Sequence, residues 1–282
     1  MVACSSRIKL SVGQISWREV GDARLPTVIF LHGSWHDRTQ WQEAIAILSS
    51  SFHCLAIDLL GYGNSTAIET PTAISIEVDA LHEFLTALKL HSVYLVGHSL
   101  GAWVALSYTL KFPDRVLGVV AISPEGSALP TWQQYGRSTI WLLSQPWLFT
   151  LWLRSLQILT SLGDGDVFLA KSQAYWHFFT KFPTTCKLLF ERSTGEIKLE
   201  LITDRLAQIR SPLLVLNNEN AALHTSESGE FSTRVVGKSK DKSIERLNYA
   251  FSSTATSYLT QEITAFVDRI QAQIDREEVE LW

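Results

Sequence analysis

The chain has 282 residues, of which 46% are hydrophobic and 18% charged, and a net charge of −4. That profile suits one α/β domain, with or without an insertion, and excludes a disordered or fibrous chain. The acidic balance leaves no basic footprint, so nucleic acid is not an expected partner. Cys4, Cys54 and Cys186 are far apart and form no C-x-x-C or Cys/His grouping, so neither a disulfide framework nor a metal or other cofactor is expected. Met1 to Lys9 holds no apolar targeting core and reads straight into a strand, which sets the expectation of a cytoplasmic protein.

In chain order, Arg7 to Val12 and Gln14 to Val20 read as a hairpin around Gly13. Thr27 to Leu31 is a continuous apolar run, the pattern of a strand buried on both faces, and it ends at His32-Gly33. Asp37 is positioned to cap a helix carrying Trp41, Ala44, Ile45 and Leu48, after which His53 to Asp58 forms a strand and Leu59 to Ser65 a loop. The alternation continues with a helix over Ile74 to Leu88, a strand over Ser92 to Val96, a helix from Leu100 to Lys111 ended by Pro113, and a strand from Val116 to Ile122. From Ser123 to about Glu200 only helical or irregular segments are expected. A strand at Leu213 to Leu216, another near Ser243 to Leu247 and a helix over about Thr256 to Gln271 close the chain. This order implies an α/β fold with a mostly parallel eight-stranded sheet and helices on both faces. Residues 1–125 and 201–282 are expected to form the core and 126–200 an aromatic-rich helical insertion.

Gly97-His98-Ser99-Leu100-Gly101 matches G-x-S-x-G between a strand and a helix, the setting of a nucleophile elbow. The five letters alone arise by chance in roughly one chain in ten of this length, so the placement carries the weight. His32-Gly33-Ser34-Trp35 follows the third strand, and Asp58 to Ser65 reads D-x-x-G-x-G-x-S. Together these motifs resemble the α/β-hydrolase family, in its serine-hydrolase branch with a helical lid. The resemblance implies Ser99 as nucleophile, with the backbone N–H groups of Ser34 and Leu100 as oxyanion donors. Trp35, His98 and Trp132 are the candidate substrate-binding residues. His32 and Asp58 read as scaffold.

The family pattern fails where it would supply the base and the acid. Pro212 to Leu216 leads into Asn217-Asn218-Glu219-Asn220-Ala221, so Ala221 stands where the resemblance would place an acid, and no histidine occupies the last 58 residues, beyond His224. Glu125, just past the Val116–Ile122 strand, is the candidate replacement for the acid, at a place where the resemblance puts the acid of some members, and His224 is the candidate relocated base. A serine hydroxyl is a weak nucleophile until a base takes its proton, which leaves two readings open. One is an esterase-like serine hydrolase acting on a lipophilic ester or acyl compound. The other is a hydrolase-like protein without efficient turnover that binds a lipophilic ligand or a protein partner. The insertion carries Trp132, Trp141, Trp147, Trp152 and Tyr175 to Phe179, as expected of an apolar pocket wall. Its outer face is also a candidate for peripheral membrane contact. The uncharged run Ser138 to Leu153 is broken by Pro146 and too short to span a bilayer.

Overall fold

Short runs of Val, Ile, Leu and Phe that bury both faces build the centre of a parallel sheet. In the computed structural model, which describes residues 4–67, 72–126, 180–218, 240–244 and 253–280, these runs are β3 (Thr27–Leu31), β4 (His53–Ile57), β6 (Val93–His98), β7 (Val116–Ile122) and β8 (Leu213–Asn218). The hairpin β1 (Cys4–Leu10) and β2 (Gly13–Val20) joins antiparallel to β4, and β9 (Lys240–Ile244) adds parallel to β8. The strand order is β1-β2-β4-β3-β6-β7-β8-β9, and the two-residue β5 (Thr66–Ala67) pairs with β2 as a ninth, marginal strand.

Helix α1 (Gln42–Leu48) and the long C-terminal helix, here α5 (Ser253–Glu280), pack together on one face of the sheet. With Trp41 of the preceding turn they meet Val28, Phe30, Val96, Val120 and Ile122 through Ile45, Leu259, Ile263 and Phe266, all buried. Helices α2 (Ile74–Ala87) and α3 (Leu100–Lys111) pack against each other, α3 lying on β3, β6 and β7. The chain divides by its internal contacts into one unit of residues 1–128 and 199–282 and another of 129–198. In the second unit Ser193 and Glu196 form a reciprocal cap at the start of α4 (Thr194–Glu200), with Ser193 N donating to Glu196 Oε2 at 2.7 Å and Glu196 N donating to Ser193 Oγ at 3.3 Å.

Several boundaries differ from those expected: β1 runs Cys4–Leu10 against the expected Arg7 to Val12, and β6 runs Val93–His98 against the expected Ser92 to Val96. β9 lies at Lys240–Ile244, beginning upstream of the expected Ser243 to Leu247, and its main chain pairs with β8 from Lys240 opposite Leu214 to Ile244 opposite Asn218. The last helix continues to Glu280, past the end of its apolar stripe, through residues such as Arg276 and Glu277 that favour helix without needing a partner surface.

Glu77, on α2, is buried among apolar neighbours and accepts a hydrogen bond from Leu60 N at 3.2 Å. Burial pushes its carboxyl from 4.5 up to about 8. Between those values the folded chain holds a proton that the unfolded chain has lost. Stability from this group is therefore complete below about pH 4.5 and declines as pH rises through about 8, by at most about 1.4 kcal/mol per pH unit. Glu77→Gln is expected to flatten that decline in urea unfolding at pH 5 and pH 8, and an unchanged slope would show that Glu77 is not its source.

Candidate active site

In an open parallel sheet the crevice for a ligand opens where the strand order reverses direction. Here the chain steps from β3 outward to β4 and then returns to the other side of β3 with β6, so the reversal lies between the C-terminal ends of β3 and β6. His32 to Ser34 leave one of these ends and Ser99 leaves the other.

Ser99 has φ 53° and ψ −114° and is the residue before α3. That left-handed conformation costs a non-glycine residue roughly 1–3 kcal/mol. It is held in place by Ser99 N donating to Ile122 O at 2.9 Å and by Ser99 O accepting from Ala102 N and Trp103 N, both at 3.1 Å. Gly101 permits the turn, since a Cβ there would run into the main-chain oxygens of Leu31 and His32. The same proximity brings the first turn of α3 against the end of β3, and its positive dipole end favours negative charge beside Ser99.

The end of β7 makes a second bend. Ser123 has φ 42° and donates its N–H to Leu216 O at 2.8 Å, and the chain turns back so that Glu125 N donates to Ser99 O at 3.3 Å. Gly126, at φ 85°, closes the turn against the Trp103 indole, leaving no room for a side chain. Trp103 Nε1 is tied to Glu200 O at 3.1 Å, and Ile202 N donates to Gly126 O at 3.0 Å. As a result the half-buried Glu125 carboxylate accepts from Ser99 Oγ at 2.5 Å, and Ser34 Oγ lies 3.0 Å from each of its oxygens.

Ser99, Glu125 and Ser34 thus form one cluster, with Leu100 next in the chain. Gly33, the neighbour of Ser34, lies so close that a Cβ there would meet Ser99 Cβ at 3.4 Å. Trp35 is half-buried at the rim of the same loop. His98 is buried and braced by Gln40, whose Nε2 lies 3.0 Å from His98 Nδ1 while its Oε1 accepts from Gly33 N at 3.0 Å. Burial, reinforced by His36 and His32, pushes His98 down to about 3, which makes it a neutral and weak base. His32 is likewise buried and held neutral, with Leu59 N donating to its Nε2 at 3.1 Å. Asp58 accepts from Arg38 N at 2.7 Å, from Asn64 N at 2.8 Å and from the Arg38 guanidinium. His224, Trp132, Glu219 and Ala221 lie outside the described residues.

The sequence reading missed Gln40 and Arg38. Asp37, expected as a cap, does accept from Thr39 N, but the turn it starts is a single 3₁₀ turn, Arg38–Trp41, which directs Arg38 to Asp58 and Gln40 to His98. Only that cap hinted at an inward-facing turn.

A family model for the alpha/beta hydrolase fold matches residues 26–195. A haloalkane dehalogenase of Bradyrhizobium diazoefficiens is 29% identical over 126 residues, or 45% of this chain and 40% of that protein. Alignments to the curated relatives cover between 27% and 41% of those proteins' lengths. Among solved structures, a loop variant of the haloalkane dehalogenase DbeA from Bradyrhizobium elkanii superposes with a TM-score of 0.73 at 16% identity, over 98% of this chain and 100% of that one. Naproxen esterase from Bacillus subtilis superposes at 0.67 and 20% identity, over 94% and 92%. These likenesses show the fold. Among the described residues no helix is long and apolar enough to cross a membrane.

Proposed function

The chain belongs to the α/β hydrolase fold family, and from that premise we propose that it is a serine hydrolase of lipophilic acyl esters, with Ser99 as nucleophile and Glu125 as proton acceptor. The observation that carries this reading is the 2.5 Å contact from Ser99 Oγ to Glu125 Oε1, which is within reach for direct proton transfer. Ser99 Oγ bonds to the acyl carbon as its proton passes to Glu125, and the amides of Ser34 and Leu100 hold the oxygen that becomes negative. The tetrahedral intermediate then collapses, breaking the bond to the alcohol, which takes the proton from Glu125. Water, deprotonated by the same carboxylate, attacks the acyl-serine, and the returning proton restores the Ser99 hydroxyl. The Trp-rich stretch between Trp132 and Trp152 supports an apolar acyl group in the substrate.

A second reading draws on the same contact. A carboxylate is ordinarily a weaker base than an imidazole, which favours a pocket that holds a lipophilic ligand without turning it over. The two readings separate on p-nitrophenyl butyrate and octanoate, together with a fluorophosphonate probe. The hydrolase reading expects saturable turnover, labelling at Ser99, and no rate limb near ~6.5, where an imidazole base would titrate. His224→Ala is expected to leave the rate unchanged, and a loss of about 10²-fold or more would transfer the base to His224. Absence of both turnover and labelling would overturn the hydrolase reading for these esters and favour the binding reading.

A further inference from the structure

Residues that face each other across an antiparallel pair project to the same side of the sheet. In the β1–β2 ribbon the register sets Ser5 opposite Arg18, Arg7 opposite Ser16 and Lys9 opposite Gln14, so one face of the ribbon carries Arg7, Lys9 and Arg18. The other face, with Ile15 and Trp17, is apolar and packs on α2, where Trp17 meets Phe84 edge-on at 5.2 Å. The 3₁₀ turn after β3 brings Arg38 onto the basic face, where its guanidinium donates to Ser16 Oγ at 3.1 Å.

Between the ribbon and the start of α1 lies a cavity of about 260 Å³ lined by Ser5, Arg18, Arg38, Thr39, Gln42 and Ile45. Five of these six side chains are donors, and none of the six belongs to the Ser99 cluster. Two carboxylates lie near. Asp58 is occupied by Arg38 and by Asn64 N, and Asp37 accepts from Thr39 N and Oγ1. Arg18 is half-buried, and its guanidinium has no hydrogen-bond or ion-pair partner among the described residues. The cavity therefore holds one guanidinium balanced by Asp58 and a second without a counter-charge, beside a hydroxyl and an amide from different elements. A carboxylate carries one negative charge on two oxygens, whereas a phosphate monoester carries close to two on three strong acceptor oxygens, the better match for guanidinium, hydroxyl and amide donors on several sides.

We infer that this cavity binds the phosphate group of a monoester through Arg18 and Arg38, with Ser5 and Gln42 completing the donor set. The group has two sources, a soluble phosphate ester or the headgroup of phosphatidic acid in a membrane, and the test distinguishes them. Inorganic phosphate and glycerol 3-phosphate are titrated at low ionic strength into the full chain, Arg18→Gln and Lys9→Gln, with amide chemical shifts as the readout. Co-sedimentation of the same proteins with phosphatidylcholine vesicles, with and without phosphatidic acid, forms the second arm. Arg18→Gln keeps the stem of the side chain and removes its charge, and its thermal melting reports whether it folds.

Saturable binding in at least one arm is expected, weakened about tenfold or more by Arg18→Gln and little by Lys9→Gln, which lies outside the cavity. Binding to the free ester alone identifies a soluble ligand, and binding that requires phosphatidic acid identifies the lipid. The inference is overturned if neither probe binds, if folded Arg18→Gln binds as the parent does, or if Lys9→Gln loses as much as Arg18→Gln, which would mean diffuse attraction to a basic face.

Discussion

Glu125→Gln is expected to lower ester turnover by about 10²–10⁴-fold, to near the level of Ser99→Ala, with little change in stability. Glutamine matches glutamate in shape, and its amide oxygen can still accept from Ser34 Oγ, which lies 3.0 Å from both carboxylate oxygens. What it loses is the ability to take the Ser99 proton across the 2.5 Å contact. The fluorophosphonate labelling rate should fall with turnover, because both begin with attack by the same oxygen. A Glu125→Gln protein with parental kcat would remove Glu125 from the mechanism. A Ser99→Ala protein with parental kcat would remove the serine and, with it, the proposed reaction.

The second large effect falls on stability. Asp58→Ala is expected to cost about 3–5 kcal/mol in urea unfolding, because Asp58 is the hub of the loop that follows β4. Its side chain is 1% exposed and that of its partner Arg38 only 13%. Removing the carboxylate strands the guanidinium and leaves Arg38 N and Asn64 N without their acceptor, and buried donors without partners are costly. Asp58→Asn, which keeps an acceptor oxygen and loses the charge, should fall between the two. A change for Asp58→Ala below about 1 kcal/mol, the scale of ordinary surface substitutions, would show that the surroundings relax around the vacancy.

The central sheet was legible in the sequence because its strands are apolar on both faces. The bounds expected for the helix Leu100–Lys111 and the strand Val116–Ile122 are those of the structure. Polar elements were harder to read. β9, with Lys240, Asp241 and Lys242, gives no apolar alternation, and its place depends on main-chain pairing that only the folded sheet supplies. In the site, the elbow at Ser99 was legible from a strand, two glycines and a helix, and Glu125 from its place just past the neighbouring strand. That these two side chains touch was not legible, since it depends on positive φ at both Ser99 and Ser123, and nothing about Ser123 as a residue type announces that bend. The contact of Gln40 with His98 joins residues 58 positions apart through a four-residue turn, too short to signal itself by periodicity. Glu77 looks in sequence like one more polar residue of an amphipathic helix, and only packing reveals that it is buried.

β7 and β8 are hydrogen-bonded neighbours, yet residues 123–212 separate them along the chain. For a connection already this long, doubling its length adds only about 0.6 kcal/mol of closure entropy. Length changes between the two ends of this stretch therefore cost little closure entropy, so long as Glu125, Gly126, Glu200 and Ile202, which shape the site, keep their contacts and the register of Val119 with Leu213 through Ile122 with Leu216 stays as it is. The kinetic burden is heavier, since pairing strands so far apart in sequence raises contact order, which slows folding.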